Sequence, residues 1–124
     1  MYTIDEVRRM LGEIADELPE AFFRQLNGGI LLQEACKAHP QGKGDLFIMG
    51  DYNNRRDMGR SINIYYGSFM RAWGHAPEHV LRAKLRATLL HEFTHHLESL
   101  AGERGLEIRD KIQLEEYRRT HESL

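Results

Sequence analysis

The chain has 124 residues, a mass of 14.5 kDa and 41% hydrophobic residues, which suits one modest core and leaves too little for two. Lys and Arg number 17 against 19 Asp and Glu, a net charge of −2, which argues against a dedicated binder of nucleic-acid backbones. No run approaches the roughly 20 apolar residues of a membrane-spanning helix, and Met1–Val7 lacks the basic start and apolar run of a signal peptide. The expectation is one domain over residues 1–124, cytoplasmic, with no membrane and no nucleic acid among its partners. Cys36 is the only cysteine, so neither an internal disulfide nor a thiolate zinc cluster is available, and it is expected to be a small buried hydrophobe.

Ile4, Val7, Leu11, Ile14 and Leu18 recur at three- and four-residue steps and predict an amphipathic helix over 4–17, with Thr3 and Glu6 as its capping box. Pro19 opens a new turn, Ala21 to Leu26 reads as a short helical segment, and Asn27-Gly28-Gly29 ends it. The period then changes. Ile30-Leu31-Leu32 predicts a strand, followed by a loop at His39–Gly44 and a second strand over Leu46–Met49, closed by Gly50. Asp51 to Arg60 is polar and reads as a long turn. Ser61 to Phe69 alternates Ile62, Ile64 and Tyr66 with Asn63 and Tyr65, which predicts a third strand. These three strands are expected to pair as an antiparallel or mixed sheet.

Pro77 is placed to open the next helix. From Glu78 to about Leu100 there is neither Gly nor Pro, while Leu81, Leu85, Leu89, Phe93 and Leu97 recur every four residues. The prediction is a helix of roughly 22 residues stopped by Gly102. A last amphipathic helix is expected over Ile108 to Thr120.

Within the long helix, His91-Glu92-Phe93-Thr94-His95 fits the pattern H-E-x-x-H. A residue step of about 100° puts His95 only about 40° around from His91 and one turn above it, so both imidazoles can reach one metal ion. Glu92 is displaced by about 100°, beside the metal instead of on it, where its carboxylate can take a proton from water. The composition gives this motif about 0.04 chance occurrences in a chain of this length, and its helical setting is the context that confirms it. Leu89, Phe93, Leu97 and Leu100 lie on the opposite arc. His96 points away from the metal and is expected to be structural or to hydrogen-bond nearby. His39, His75, His79 and His121 have no ligand spacing.

A catalytic zinc needs a third protein ligand. The candidates downstream are Glu98, Glu103, Glu107, Asp110, Glu115 and Glu116. Asp110 is favoured because it is short and follows the reversal that Gly102 and Gly105 permit; Glu98 and Glu103 are the alternatives. The metal set is therefore His91, His95 and Asp110, with one Zn²⁺ per chain and Glu92 as catalytic base.

Glu17-Leu18-Pro19-Glu20 before Phe22-Phe23, Gly67-Ser68-Phe69, and Thr88-Leu89-Leu90-His91-Glu92-Phe93-Thr94-His95-His96 together resemble the minimal zincins, a small bacterial metallopeptidase-like family. The likeness runs over nearly the whole chain. It implies an α+β fold: N-terminal helices, a small three-stranded sheet, a long zinc-binding active-site helix and a short C-terminal helix. The family's Gly and Asp after the second histidine are replaced here by Glu98 and Ala101, and an inserted turn would make Asp110 the matching acid.

The expected function is zinc-dependent hydrolysis of peptide bonds, weak, on short peptides or flexible protein segments. The third strand is expected to be the edge to which substrate adds; Tyr65 and Tyr66 are expected to pack the core as sheet aromatics, with a cleft-facing hydroxyl from one of them as the alternative. The alternative is a non-catalytic module in which zinc rivets the helix to the C-terminal segment. Arg55, Arg56, Arg60, Arg71, Arg82, Lys84 and Arg86 are interspersed and form no nucleic-acid band.

Overall fold

In a computed structural model the protein is described over residues 1–104 apart from 43, 45 and 58, with the backbone alone at 103 and 104. The expected helix over 108–120 lies outside those residues. The first helix, α1, spans Ile4–Asp16. Its start follows from local chemistry: the Glu6 amide donates to Thr3 Oγ1 (3.1 Å), and the Thr3 amide donates to Glu6 Oε1 (2.9 Å). Val7, Met10, Leu11 and Ile14 form its buried face. After Pro19, residues Glu20–Phe23 make a single 3-10 turn.

Among the described residues five strands follow: β1 (Gly29–Gln33), β2 (Lys37–Ala38), β3 (Phe47–Ile48), β4 (Gly50–Arg55) and β5 (Gly59–Tyr65). They form two sheets, β1-β5-β4 and a separate hairpin β2-β3. The larger sheet is mixed. β1 lies parallel to β5, from Gly29↔Ser61 to Gln33↔Tyr65, and β4 runs antiparallel to β5, from Gly50↔Ile64 to Arg55↔Gly59.

Four expectations are corrected here. The strand expected over Leu46–Met49 is β3, which pairs with β2 in the hairpin and does not join the larger sheet. Asp51 to Arg55 is strand, although its composition reads as a turn. Asn and Asp are poor strand formers, so the ladder to β5 outweighs local preference. The third strand stops at Tyr65, and Tyr66–Trp73 is a helix, α2. β5 is also the central strand of its sheet, so the edges are β1 and β4.

The long helix α3 spans Glu78–Arg104, 27 residues, and the Pro77 carbonyl accepts from the amides of Val80 and Leu81 at its start. Gly102 lies inside α3 and does not end it, since a single glycine costs a helix only about 1 kcal/mol. Leu81, Leu85, Leu89, Phe93, Leu97 and Leu100 are all buried. A four-residue period gains about 40° per step on a 3.6-residue turn, so the apolar band winds around α3. It therefore meets α1, α2 and the strands β4 and β5 in turn. The main core combines α1, Ile62 and Ile64 of β5, Phe69 of α2, and α3 as far as Phe93.

Tyr2 fastens the start of the chain to this frame. Its hydroxyl donates to the Ala76 carbonyl (2.6 Å), and the Tyr66 hydroxyl donates to the Tyr2 carbonyl. Cys36 is exposed, contrary to expectation, because it lies in the segment just before the two-residue strand β2 and not within the core. No helix among the described residues is long and apolar enough to cross a membrane.

Candidate metal centre

α3 presents His91, Glu92 and His95 to a cleft of about 710 Å³ whose opposite wall is β4, with Gly50, Asp51 and Tyr52. His91 and His95 are exposed and Glu92 is buried, at 6% exposure. The Nε2 atoms of the two histidines are 3.2 Å apart, with the rings perpendicular. Two nitrogens bound tetrahedrally to one zinc at about 2.0–2.1 Å would be separated by about 3.3–3.4 Å. The spacing therefore already matches a shared ion. Ligand atoms of His91, Glu92 and His95 all lie within 4.8 Å of one another.

Burial drives the Glu92 carboxyl above its usual range. The neighbouring His91 and His95 pull it down and the negative charge of Asp51 adds to the rise. A carboxylate whose proton affinity is raised is suited to taking a proton and giving it back. Phe93 anchors this stretch from behind: its ring meets Phe23 edge-on at 5.0 Å and Phe22 at 5.7 Å. The Phe22-Phe23 pair thus clamps the motif helix against the 3-10 turn.

His96 has the structural role expected of it. It is 0% exposed; one ring nitrogen, Nε2, is 2.8 Å from the Arg24 carbonyl and the other, Nδ1, is 2.9 Å from the Tyr52 hydroxyl. A carbonyl only accepts, so Nε2 carries the proton and Nδ1 accepts from Tyr52. Burial lowers the proton affinity of His96, and the Arg60 charge adds to this against the pull of the Arg24 carbonyl. The ring stays neutral and fixes Tyr52 in the cleft wall.

Asp51 is the residue that sequence reasoning missed. Its carboxylate accepts from Asn63 Nδ2 (2.9 Å), the Tyr65 hydroxyl (2.7 Å) and Lys37 Nζ (3.0 Å). Burial works to raise its pKa, but these hydrogen bonds and the Lys37 charge outweigh it and leave the carboxyl below its usual range. The available signal was the pair Asp51 and Asn63, polar residues that face each other across β4 and β5. Tyr52, not Tyr65 or Tyr66, lines the cleft: the hydroxyls of the latter two are committed to Asp51 and to the Tyr2 carbonyl.

For the third ligand, Glu98 is exposed on the cleft and lies outside the group that brings ligand atoms together. Of Glu103 only the backbone is described, in the last turn of α3, and Asp110, Glu107, Glu115 and Glu116 fall outside the described residues.

Comparison with known proteins agrees with this geometry. A family model described as zincin-like metallopeptidase matches residues 48–112, just over half of the chain. A solved structure titled as a conserved hypothetical protein from Thermus thermophilus is 33% identical, with a TM-score of 0.70, covering 82% of this chain and 99% of its own. No curated protein matches. A matched segment that contains β4, β5 and the whole H-E-x-x-H helix places the chain in the zincin-like metallopeptidase family.

Proposed function

We propose that the protein is a zinc-dependent peptide hydrolase. The observation that carries the reading is the pair of convergent Nε2 atoms, 3.2 Å apart on the cleft face of α3, with a buried carboxylate beside them. His91 and His95 would hold the ion, and Asp110 completes the set in this reading. A bound zinc would supply Lewis acidity, polarising a carbonyl oxygen and acidifying water. Glu92 then accepts the proton that water loses and delivers it to the departing amine. Its burial keeps bulk water from competing for that proton.

The substrate is a short peptide or a flexible protein segment laid along β4. That strand is an edge of its sheet, and it forms one wall of the cleft while α3 forms the other. An extended backbone can add to such an edge. The expectation for a substrate-binding edge is thereby moved from β5 to β4.

The test is metal content and peptide-library cleavage on wild type, His91→Ala and Glu92→Gln. The expected result is one zinc in wild type and Glu92→Gln, none in His91→Ala, and cleavage by wild type alone. Equal zinc in wild type and Glu92→Gln, with unfolding on metal removal and no cleavage by either, would identify a structural rivet instead.

A further inference from the structure

The cleft between β4 and α3 has two unlike ends. At the Gly50 end it stays open and continues past His91 along the β2-β3 hairpin. At the other end Asn54 Nδ2, on β4, donates to Ser99 Oγ, on α3 (3.2 Å), and ties the strand to the helix. Ser99 stands one turn beyond His95, about 6 Å along the helix axis. An extended peptide advances about 3.3 Å per residue, so roughly two residues fit between His95 and the tie.

Charge marks the same end. Asp51, Glu92 and Glu98 bring carboxyl groups to the cleft. Asp51 is satisfied by Lys37, Asn63 and Tyr65. Glu92, at 6% exposure, has no hydrogen-bond partner among the described residues and stands beside the two histidines. Glu98 has neither an ion pair nor a hydrogen bond among the described residues, and it directly precedes Ser99 of the tie. Seven residues bring it back to within about 20° of His91 around the helix, so it faces the space that the two imidazoles face. An unpaired carboxylate at a closed end repels a terminal carboxylate and attracts a cation.

We propose that this end of the cleft reads the amino terminus of a peptide: Glu98 accepts from the α-ammonium group, and the site removes one or two residues from free amino ends. The inference rests on the peptidase reading and narrows its substrate. An α-amino group has an ordinary pKa of about 7.7–8.0 and is mostly charged at pH 7. Water adds to the carbonyl of the first or second residue and the C–N bond after it breaks. The released acid keeps the hydroxyl, and the departing amine takes the proton through Glu92. The rest of the substrate leaves by the open Gly50 end. An acetylated terminus would bring an uncharged group to Glu98 and leave that carboxylate without a counter-ion.

The test separates this inference from the reading beneath it. Tetra-L-alanine amide, its N-acetylated form and N-acetyl-L-lysyl-tri-L-alanine amide are titrated calorimetrically into zinc-loaded Glu92→Gln, which binds without cleaving. The free amine is expected to bind about 10-fold tighter than either acetylated peptide, the scale of a hydrogen bond to a charged group, and the difference shrinks at high salt. Adding Glu98→Gln leaves zinc bound and narrows the difference to about 2-fold or less, as for a lost exposed ion pair. Asn54→Ala, which unties the end, raises binding of the acetylated alanine peptide and serves if Glu98→Gln does not fold. No binding, equal binding of the three probes, or a lysyl probe as tight as the free amine overturns the proposal. So does a preference that survives a folded Glu98→Gln, acetylated binding that does not rise in Asn54→Ala, or loss of zinc from Glu98→Gln, which would make Glu98 a ligand. With zinc-loaded wild type, products shortened by one or two residues at the amino end support it, and cuts deep within N-acetylated peptides overturn the amino-end site alone. Preference for the free amine without any cleavage by wild type supports the amino-end site and overturns the hydrolase.

Discussion

His95 and His96 are neighbours in sequence and opposites in environment. One is exposed, with its ring nitrogen turned to His91; the other is fully buried between Tyr52 and the Arg24 carbonyl. The difference is one helical step of about 100°. That step carries the side chain from the cleft face of α3 to the face covered by the fold. What decides each role is which lone pairs the surroundings leave available. The Arg24 carbonyl and the Tyr52 hydroxyl use both nitrogens of His96, so it has none to offer a metal, while the two Nε2 atoms across the turn have a common target.

Two substitutions would break this comparison if they behaved alike. His95→Ala should lower zinc affinity by more than about 100-fold, since even partners behind the ligands are worth roughly 10- to 100-fold. The stability of the metal-free chain should change by no more than about 0.5 kcal/mol, as for other exposed positions; calorimetric titration and denaturant melts measure the two effects. His96→Ala should do the reverse. It removes the ring that joins the Tyr52 hydroxyl to the Arg24 carbonyl and leaves a cavity at a fully buried position, at about 1–3 kcal/mol in all, while zinc affinity falls by no more than about 10-fold. Equal losses of zinc in both variants would make His96 part of the metal set.

The division between the two faces also depends on how closely β4 approaches α3. Gly50→Ala should cost about 1–3 kcal/mol through crowding against Asn63 and Thr88. The check is a denaturant melt together with the amide shifts of Asp51 and Tyr52, which should move as the strand is pushed off the helix.

The smallest effect expected is a pH dependence. His96 binds its proton less readily when folded than its ordinary value of 6.5, first because of burial. Its contribution to stability is therefore complete above pH 6.5 and falls as pH drops from there toward the folded pKa. The slope is at most about 1.4 kcal/mol per pH unit. Glu92, shifted upward by burial, acts in the opposite direction from pH 4.5 up, so the melts belong in a Glu92→Gln background with chelator present. Replacing His96 by Gln there should flatten the slope; an unchanged slope would assign it to another group.

The same contrast explains what could be read from the sequence. α1 and α3 were legible because both carry apolar residues at helical spacing over many turns, and α1 adds a capping box. His91, Glu92 and His95 were legible because two imidazoles one turn apart and a carboxylate beside them are stated by spacing alone. β4 was hidden, since Asp51-Tyr52-Asn53-Asn54-Arg55 takes its strand form from pairing with β5 and not from its own preferences. The central place of β5 was hidden too. Ile62, Asn63 and Ile64 are all buried, so one of its two faces is a polar one satisfied by Gln33 and Asp51 instead of by water. Tyr66 to Phe69 read as strand because aromatic residues favour strands, and the contacts of Phe69 in the core decide for the helix.

The ties made by Tyr2 have a consequence for how the molecule is assembled. α3 is the last described element to leave the ribosome, and α1, both sheets and α2 precede it in the chain. The carbonyl that Tyr2 holds, Ala76, lies just before the Pro77 at which α3 begins. The helix that carries the histidines thus meets surfaces already synthesised, and in the folded chain its start is tied to Tyr2. Its register is inherited from the chain made before it, and the convergence of His91 and His95 on the cleft is set by docking as much as by the motif itself.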